Sequence, residues 1–166
     1  MTKREQNISR SIWHEAGHAA AVILYGATLR SVTISNPGMG TNRIIYVVSS
    51  AAAEDRQTLQ IAVAGVSASK LREPRSSLSY LWLRDGLGTG TANSDYKIAM
   101  ELTGGDQRPI DRAERETRKS LKEHWSLVEA IHDCIAARIN PEVEVIEING
   151  EWIIEAVREH LPREAA

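Results

Sequence analysis

The sequence predicts a mainly α-helical (α+β) protein that carries a small sheet. Apolar residues recur at helical spacing along most of the chain, whereas only two short stretches have the alternation or β-branching of strands. The 166 residues suit one domain, and 42% hydrophobic with 25% charged residues excludes a disordered composition. We therefore expect a single domain over residues 1–166, with residues 1–8 as a flexible N-terminus and a two- to three-stranded sheet beside the first helix.

The first helix is predicted from Ser9 to Tyr25, with Gly26 as its stop. Residues Ser31 to Ser35 alternate like a strand. Residues Arg43 to Ser49 are rich in β-branched side chains and predict a second strand, antiparallel to the first.

Four further helices follow in the prediction. They cover Ala52 to Arg72, a stretch from a cap at Asn93 or Ser94 to Leu102, Asp111 to about Ile139, and a last helix capped by Asn149. Within the third of these, a charged run is interpreted as a solvated face. The run comprises Glu114, Arg115, Glu116, Arg118 and Lys119.

The net charge, the cysteine count and the length of the apolar stretches exclude several classes of protein. A net charge of −2, from 20 basic and 22 acidic residues, predicts no nucleic-acid partner. Cys134 is the only cysteine, which excludes an internal disulfide and suits a reducing compartment. The longest apolar stretch, Ala19 to Tyr25, is too short to cross a bilayer, and residues 1–10 do not resemble a signal peptide.

The glycine-rich loop Gly86 to Thr91 lacks the ending of a phosphate-binding P-loop. We expect a cytoplasmic protein without a membrane partner.

The segment His14 to His18, with sequence H-E-A-G-H, carries the chemistry. On a helix, residues four apart share one face, so the two imidazoles converge on a point that suits a zinc ion. Glu15 lies about 100° further round the helix and can reach a water at that ion without ligating it. This arrangement predicts a zinc peptidase in which Glu15 is the general base.

A catalytic zinc ion needs a third protein ligand, and spacing alone leaves that choice open. The metzincin pattern is excluded because Ala21 and Leu24 occupy positions where it requires glycine and histidine. Asp95 has one argument in its favour, since it follows a glycine-rich loop at the start of a short helix. The other candidates are Glu54, Glu73, Asp85, Glu101, His124, His132 and His160.

The motif resembles that of FtsH-type ATP-dependent zinc metalloproteases. The resemblance extends in order along almost the whole chain: Ala62 to Gly65 resembles the start of the family's A-G-R-A-A-E helix, and Thr89 to Asp95 its T-G-A-S-N-D segment. It implies a helical, zincin-like peptidase domain with His14, His18 and Asp95 as zinc ligands and Glu15 as the base.

Two features depart from the family. The sequence contains neither the ATPase module nor a membrane anchor, so we expect a stand-alone peptidase that cannot unfold substrates itself. Residues Val66 to Lys70 replace the family's arginine and acidic positions, which weakens the expectation of a ring-shaped hexamer.

Together these observations predict a zinc metalloendopeptidase that hydrolyses unfolded or accessible polypeptides, with a separate unfoldase or a homo-oligomer as its possible partners. The alternative is a non-catalytic, zinc-containing protein-interaction module derived from a protease domain. A metallohydrolase that acts on a non-peptide substrate is a third, weaker hypothesis. The substrate, the oligomeric state and the oxyanion stabiliser are left open by the sequence.

Overall fold

The computed structural model describes residues 3–35, 43–47, 54–73, 91–140, 143 and 145–162. These residues are mainly helical with a small antiparallel sheet, which confirms the predicted class. Within them, no helix is long and apolar enough to cross a membrane. The helices are α1 (Lys3–Leu24), α2 (Glu54–Ala62), α3 (Ala64–Arg72), α4 (Thr91–Leu102), α5 (Gln107–Glu123), α6 (Trp125–Ala136) and α7 (Gly150–Ala156), and the strands are β1 (Thr28–Ser35), β2 (Arg43–Val47) and β3 (Val145–Asn149).

Helix α1 is longer than predicted but ends where expected. It begins at Lys3, six residues before the predicted start at Ser9, and the flexibility expected of residues 1–8 stays a prediction. Gly26 adopts a φ of 73°, a left-handed conformation that favours glycine. The Gly26 N–H donates to the Ile23 carbonyl and the Ala27 N–H to the Val22 carbonyl, which is the hydrogen-bond pattern of a Schellman cap.

The sheet has the order β2-β1-β3, with β1 in the centre and antiparallel to both neighbours. The predicted pairing of the first two strands is confirmed, whereas β3 lies in a stretch for which no strand was predicted. Val32 of β1 lies opposite Ile44 of β2 and Ile148 of β3. Helix α1 packs against β1, so the sheet borders the helix that carries the histidine motif.

The core is organised around α1. Its small residues Ala16, Ala19 and Ala20 are fully buried and allow neighbouring elements to approach closely. On the side facing α6, Trp13 stacks in parallel on Trp125, with ring centroids 5.5 Å apart, and on His132 at 3.9 Å. These contacts fix the position of α1 relative to α6.

Two predicted long helices are each interrupted. The predicted helix over 52–72 breaks at Val63 into α2 and α3, and the one over 111–139 begins earlier and breaks at His124 into α5 and α6. A break leaves carbonyl groups of the preceding turn available to side-chain donors. At the second break, His124 Nδ1 lies 3.0 Å from the Ser120 carbonyl oxygen and donates to it.

The N-terminal cap of α7 allows a test of local helix stability. The Asn149 side chain accepts hydrogen bonds from the Glu151 and Trp152 amides and caps α7, as predicted. We expect Asn149→Ala to lower the free energy of unfolding by about 1 kcal/mol, because both amides lose their partner. Denaturant unfolding should show this loss, and Asn149→Ser, which retains a capping oxygen, should recover most of it. Equal stabilities for the two variants would contradict the capping role.

Candidate metal centre

Helix α1 buries the motif. His14 and His18 are only 8% and 4% exposed, and Glu15 between them is 1% exposed. The two imidazoles lie on the same face because they are four residues apart on a continuous helix. Their Nε2 atoms are 3.0 Å apart, with the rings nearly perpendicular at 78°.

A third group reaches the same point from α4. The Asp95 Oδ2 atom lies 3.0 Å from His14 Nε2 and 3.0 Å from His18 Nε2. Helix α4 begins at Thr91, so Asp95 lies beyond its first turn and the predicted caps at Asn93 and Ser94 are wrong. The structure therefore brings together the three residues that the resemblance implied, although 77 residues separate His18 from Asp95.

The tautomer of His18 is set by the backbone. Its Nδ1 atom lies 2.7 Å from the Ile61 carbonyl oxygen, which can only accept, so Nδ1 carries the proton. Neutral His18 must then turn the lone pair of Nε2 toward the Asp95 carboxylate. A hydrogen bond from the far nitrogen to a carbonyl is the usual support of a metal-ligating histidine.

The negative charge of Asp95 favours a positive charge beside it, either a proton on His18 or a bound metal ion. Burial disfavours the imidazolium form, yet the adjacent Asp95 carboxylate raises the pKa of His18 to about 9. Burial also opposes ionisation of Asp95, but the electrostatic attraction of His18 and hydrogen bonds with both imidazoles hold the pKa of Asp95 far below its ordinary value. A proton on His18 relieves the contact with the carboxylate, whereas a metal ion would satisfy all three donor atoms at once.

The donor set fits a transition-metal ion. Two imidazole nitrogens and one carboxylate oxygen are a common ligand set for zinc and related ions. The three atoms are 3.0 Å apart, close to the separation of about 3.3 Å expected between tetrahedral ligands with bonds of about 2.0–2.1 Å. Among the described residues, His14, His18 and Asp95 form a group that could hold a metal ion.

Helix α3 crosses α1 at the site without placing a side chain in it. A Cβ atom on Gly65 would lie 2.5 Å from His18 Nε2 and 2.6 Å from His14 Nε2. Real Cβ atoms essentially never approach a neighbour this closely. Gly65 therefore keeps the space beside both imidazoles open, which is a second feature of the chain that fits a bound ion.

Glu15 is buried beside the cluster without forming part of it. Burial raises the pKa of this carboxyl above its ordinary value, against the opposing effects of His18 and His14. Its Oε1 atom has no hydrogen-bond partner among the described residues. An unsatisfied buried carboxylate oxygen costs free energy and calls for a functional reason.

Most of the other candidate ligands that the structure describes lie elsewhere. Glu73 pairs at the surface with Arg10 at 3.5 Å, and Glu101 is exposed on α4. His124 binds the Ser120 carbonyl, and His132 stacks on Trp13. His160 is exposed. Asp85 and the Glu54 side chain lie outside the described part of the chain.

Two contributors to the site were missed by the sequence analysis: the Ile61 carbonyl and the open face of Gly65. The carbonyl could not be predicted, because its availability depends on the break at Val63. Gly65 did leave a signal, since a glycine inside a helical pattern costs stability and often marks a close backbone approach.

Comparison with protein families gives no match for the chain, and comparison with curated proteins gives none either. The geometry of the site consists of three converging donor atoms of mixed nitrogen and oxygen type, with a buried carboxylate beside them.

The role of Asp95 can be tested by metal binding. We expect Asp95→Ala to weaken zinc binding by at least about 100-fold, more than the loss of an outer-shell partner causes, because a direct donor is removed. Competition with a chromophoric chelator measures the affinity. Glu101→Ala removes the same charge from an exposed position of the same helix and should leave the affinity unchanged. Equal affinities for the two variants would exclude Asp95 as a ligand.

The role of Gly65 can be separated from ordinary packing. We expect Gly65→Ala to abolish stoichiometric zinc binding, because the added methyl group enters the space beside both Nε2 atoms. Gly17→Ala is the matched control: its methyl group would meet Ala68 and lie 2.8 Å from the Ala64 carbonyl oxygen, within the helix packing. Thermal unfolding of both metal-free proteins reports the packing cost. If Gly65→Ala binds zinc as tightly as the unchanged protein does, the open space is not needed.

Proposed function

We propose that the protein is a zinc-dependent metallopeptidase with a zincin-like active site that hydrolyses accessible or unfolded polypeptides. The observation that carries the proposal is the convergence of His14, His18 and Asp95 at 3.0 Å with the buried, unsatisfied Glu15 beside them. The resemblance of the motif to that of FtsH-type proteases supports the same conclusion and is part of the proposal.

Zinc is the proposed metal because the donor set is the one that its catalytic sites use: three protein ligands of nitrogen and oxygen type, with one position left for water. When bound, zinc acts as a Lewis acid that acidifies water and polarises a carbonyl group. His14 and His18 would hold it through Nε2, and Asp95 would supply one negative charge. The Ile61 carbonyl keeps His18 in the tautomer that ligation needs.

Glu15 performs the proton transfers in this mechanism. Its carboxylate accepts a proton from the water molecule whose oxygen attacks the peptide carbonyl carbon. When the carbon–nitrogen bond breaks, the same carboxyl group delivers that proton to the departing amine. Burial raises the pKa of Glu15 above its ordinary value, which makes its carboxylate a stronger base than an exposed one.

The alternative of a non-catalytic zinc module gains less support from the site. A structural zinc site is closed by four protein ligands, and the described residues bring three together. A structural site also has no use for a buried acid beside it. A separate unfoldase, a homo-oligomer and a cytoplasmic location stay predictions.

The central test is the variant Glu15→Gln. We expect it to bind zinc as the unchanged protein does and to lose about 10²–10⁴-fold in the rate of hydrolysis, because the amide cannot accept the proton. Fluorescently labelled, unfolded casein serves as the substrate, and zinc content is measured on the same samples. The activity of the unchanged protein should disappear with a chelator and return with added zinc.

Glu129→Gln is the control, since it makes the same substitution at an exposed position of α6. It should cleave casein at the normal rate. If Glu15→Gln retains full activity, Glu15 is not the base. If the zinc-loaded protein cleaves nothing, the non-catalytic module is the better description.

A further inference from the structure

Helix α5 carries a stripe of cations that the proposed peptidase site does not use. Arg108, Arg112, Arg115, Lys119 and Lys122 are all exposed and recur at intervals of four, three, four and three residues. At 100° per residue they span an arc of about 80°, and at 1.5 Å per residue they extend over about 21 Å. We call these five residues the basic stripe.

The basic stripe points outward because the opposite face of α5 is buried. Ile110, Ala113, Thr117 and Leu121 are buried, and Glu114 is buried in an ion pair with Lys70 of α3 at 2.6 Å. The prediction that Glu114 belongs to a solvated face is therefore wrong. The remaining charged residues of the helix are left on the outer side with a net positive charge, although the whole chain has a net charge of −2.

The arrangement lowers the stability of the helix. Like charges three or four residues apart repel each other by about 0.2–0.5 kcal/mol per pair, and each step along the stripe is such a pair. Arg112 is paired with Glu116 at 2.9 Å, and Lys119 with Glu123 at 3.9 Å. Arg108, Arg115 and Lys122 have no ion pair with any residue that the structure describes. The cost is thus only partly offset within the described fold.

The neighbours of the stripe indicate the chemistry of its partner. Asp111 and the exposed Arg118 border it on one side, and Glu116 and Glu123 border it on the other. These acids would repel a continuous polyphosphate, and α5 has no aromatic residue on which a base could stack. Insertion of α5 into a membrane surface would need apolar side chains beside the cations. The exposed large apolar residues of the described chain lie elsewhere, at Ile98, Val143, Val145 and Trp152.

We propose that the basic stripe of α5 is a docking surface for an acidic polypeptide segment, with carboxylates repeating at the same helical spacing. A helix with acids at intervals of four and three residues would place one carboxylate against each cation over the full 21 Å or so. Basic residues flanking those acids would meet Asp111, Glu116 and Glu123. The proposal does not depend on peptide hydrolysis.

The probe is a synthetic peptide of alanine and glutamine with five glutamates at the spacing of the stripe. Its control is a peptide of the same composition in which the glutamates are scrambled. Binding is measured by fluorescence anisotropy at low salt, also in the Glu15→Gln protein, so that cleavage cannot interfere. We expect the spaced peptide to bind at least about tenfold more tightly than the scrambled one, and salt to weaken it.

The test variant replaces the three cations that lack ion pairs, Arg108, Arg115 and Lys122, with glutamine. We expect affinity to fall by about tenfold, because three exposed charge pairs are lost. Thermal stability should not fall, since like-charge repulsion is relieved. A control of equal charge change replaces Arg30, Arg138 and Arg158, which are exposed outside α5, and should leave affinity within about twofold.

Three outcomes would overturn the proposal. The scrambled peptide could bind as tightly as the spaced one, or the stripe variant could bind as tightly as its control. Alternatively, a DNA duplex or inorganic polyphosphate could bind more tightly than the spaced peptide, which would assign the stripe to polyphosphates rather than to a protein.

Discussion

The close crossing of α1 over α3 is the constraint on which the site depends. Gly17 on one helix and Gly65 on the other remove the side chains that would hold the two backbones apart. The same approach places α3 directly beside the two imidazoles, so helix packing and the open space of the metal centre have one geometric cause. A side chain at position 17 would disturb the helix packing, and one at position 65 would fill the space beside the candidate metal ligands.

The break between α2 and α3 connects this crossing to the electrostatics of the site. Because of the break, two carbonyl groups accept hydrogen bonds from side chains. Thr117 donates to the Gln60 carbonyl, and His18 donates to the Ile61 carbonyl. The second bond fixes the His18 tautomer, which turns the Nε2 lone pair toward His14 and Asp95. A continuous helix over 52–72 would have used the Ile61 carbonyl internally, and the cluster would have lost the group that orients it.

The sequence predicts those parts of the fold that depend on interactions between residues close in sequence. Gly26 ends α1, Asn149 caps α7, and His14 and His18 share a face because helical periodicity alone requires it. The parts that it missed depend on contacts between distant segments. The break at Val63 accompanies the contact with α1, and Glu114 is buried because Lys70 reaches it. Spacing does not select Asp95, because the 77 residues between it and His18 leave no periodic signal; the resemblance to FtsH-type proteases implies it.

Glu15 is the residue that the fold alone does not explain. Its burial raises the free energy of the charged form, and its Oε1 atom finds no partner among the described groups. The contacts among His14, His18 and Asp95 do not include Glu15. A glutamine would fill the same volume without the desolvation cost of a charge. An acid at this position fits the proton transfer that we propose, which needs a carboxylate close to the candidate metal ligands.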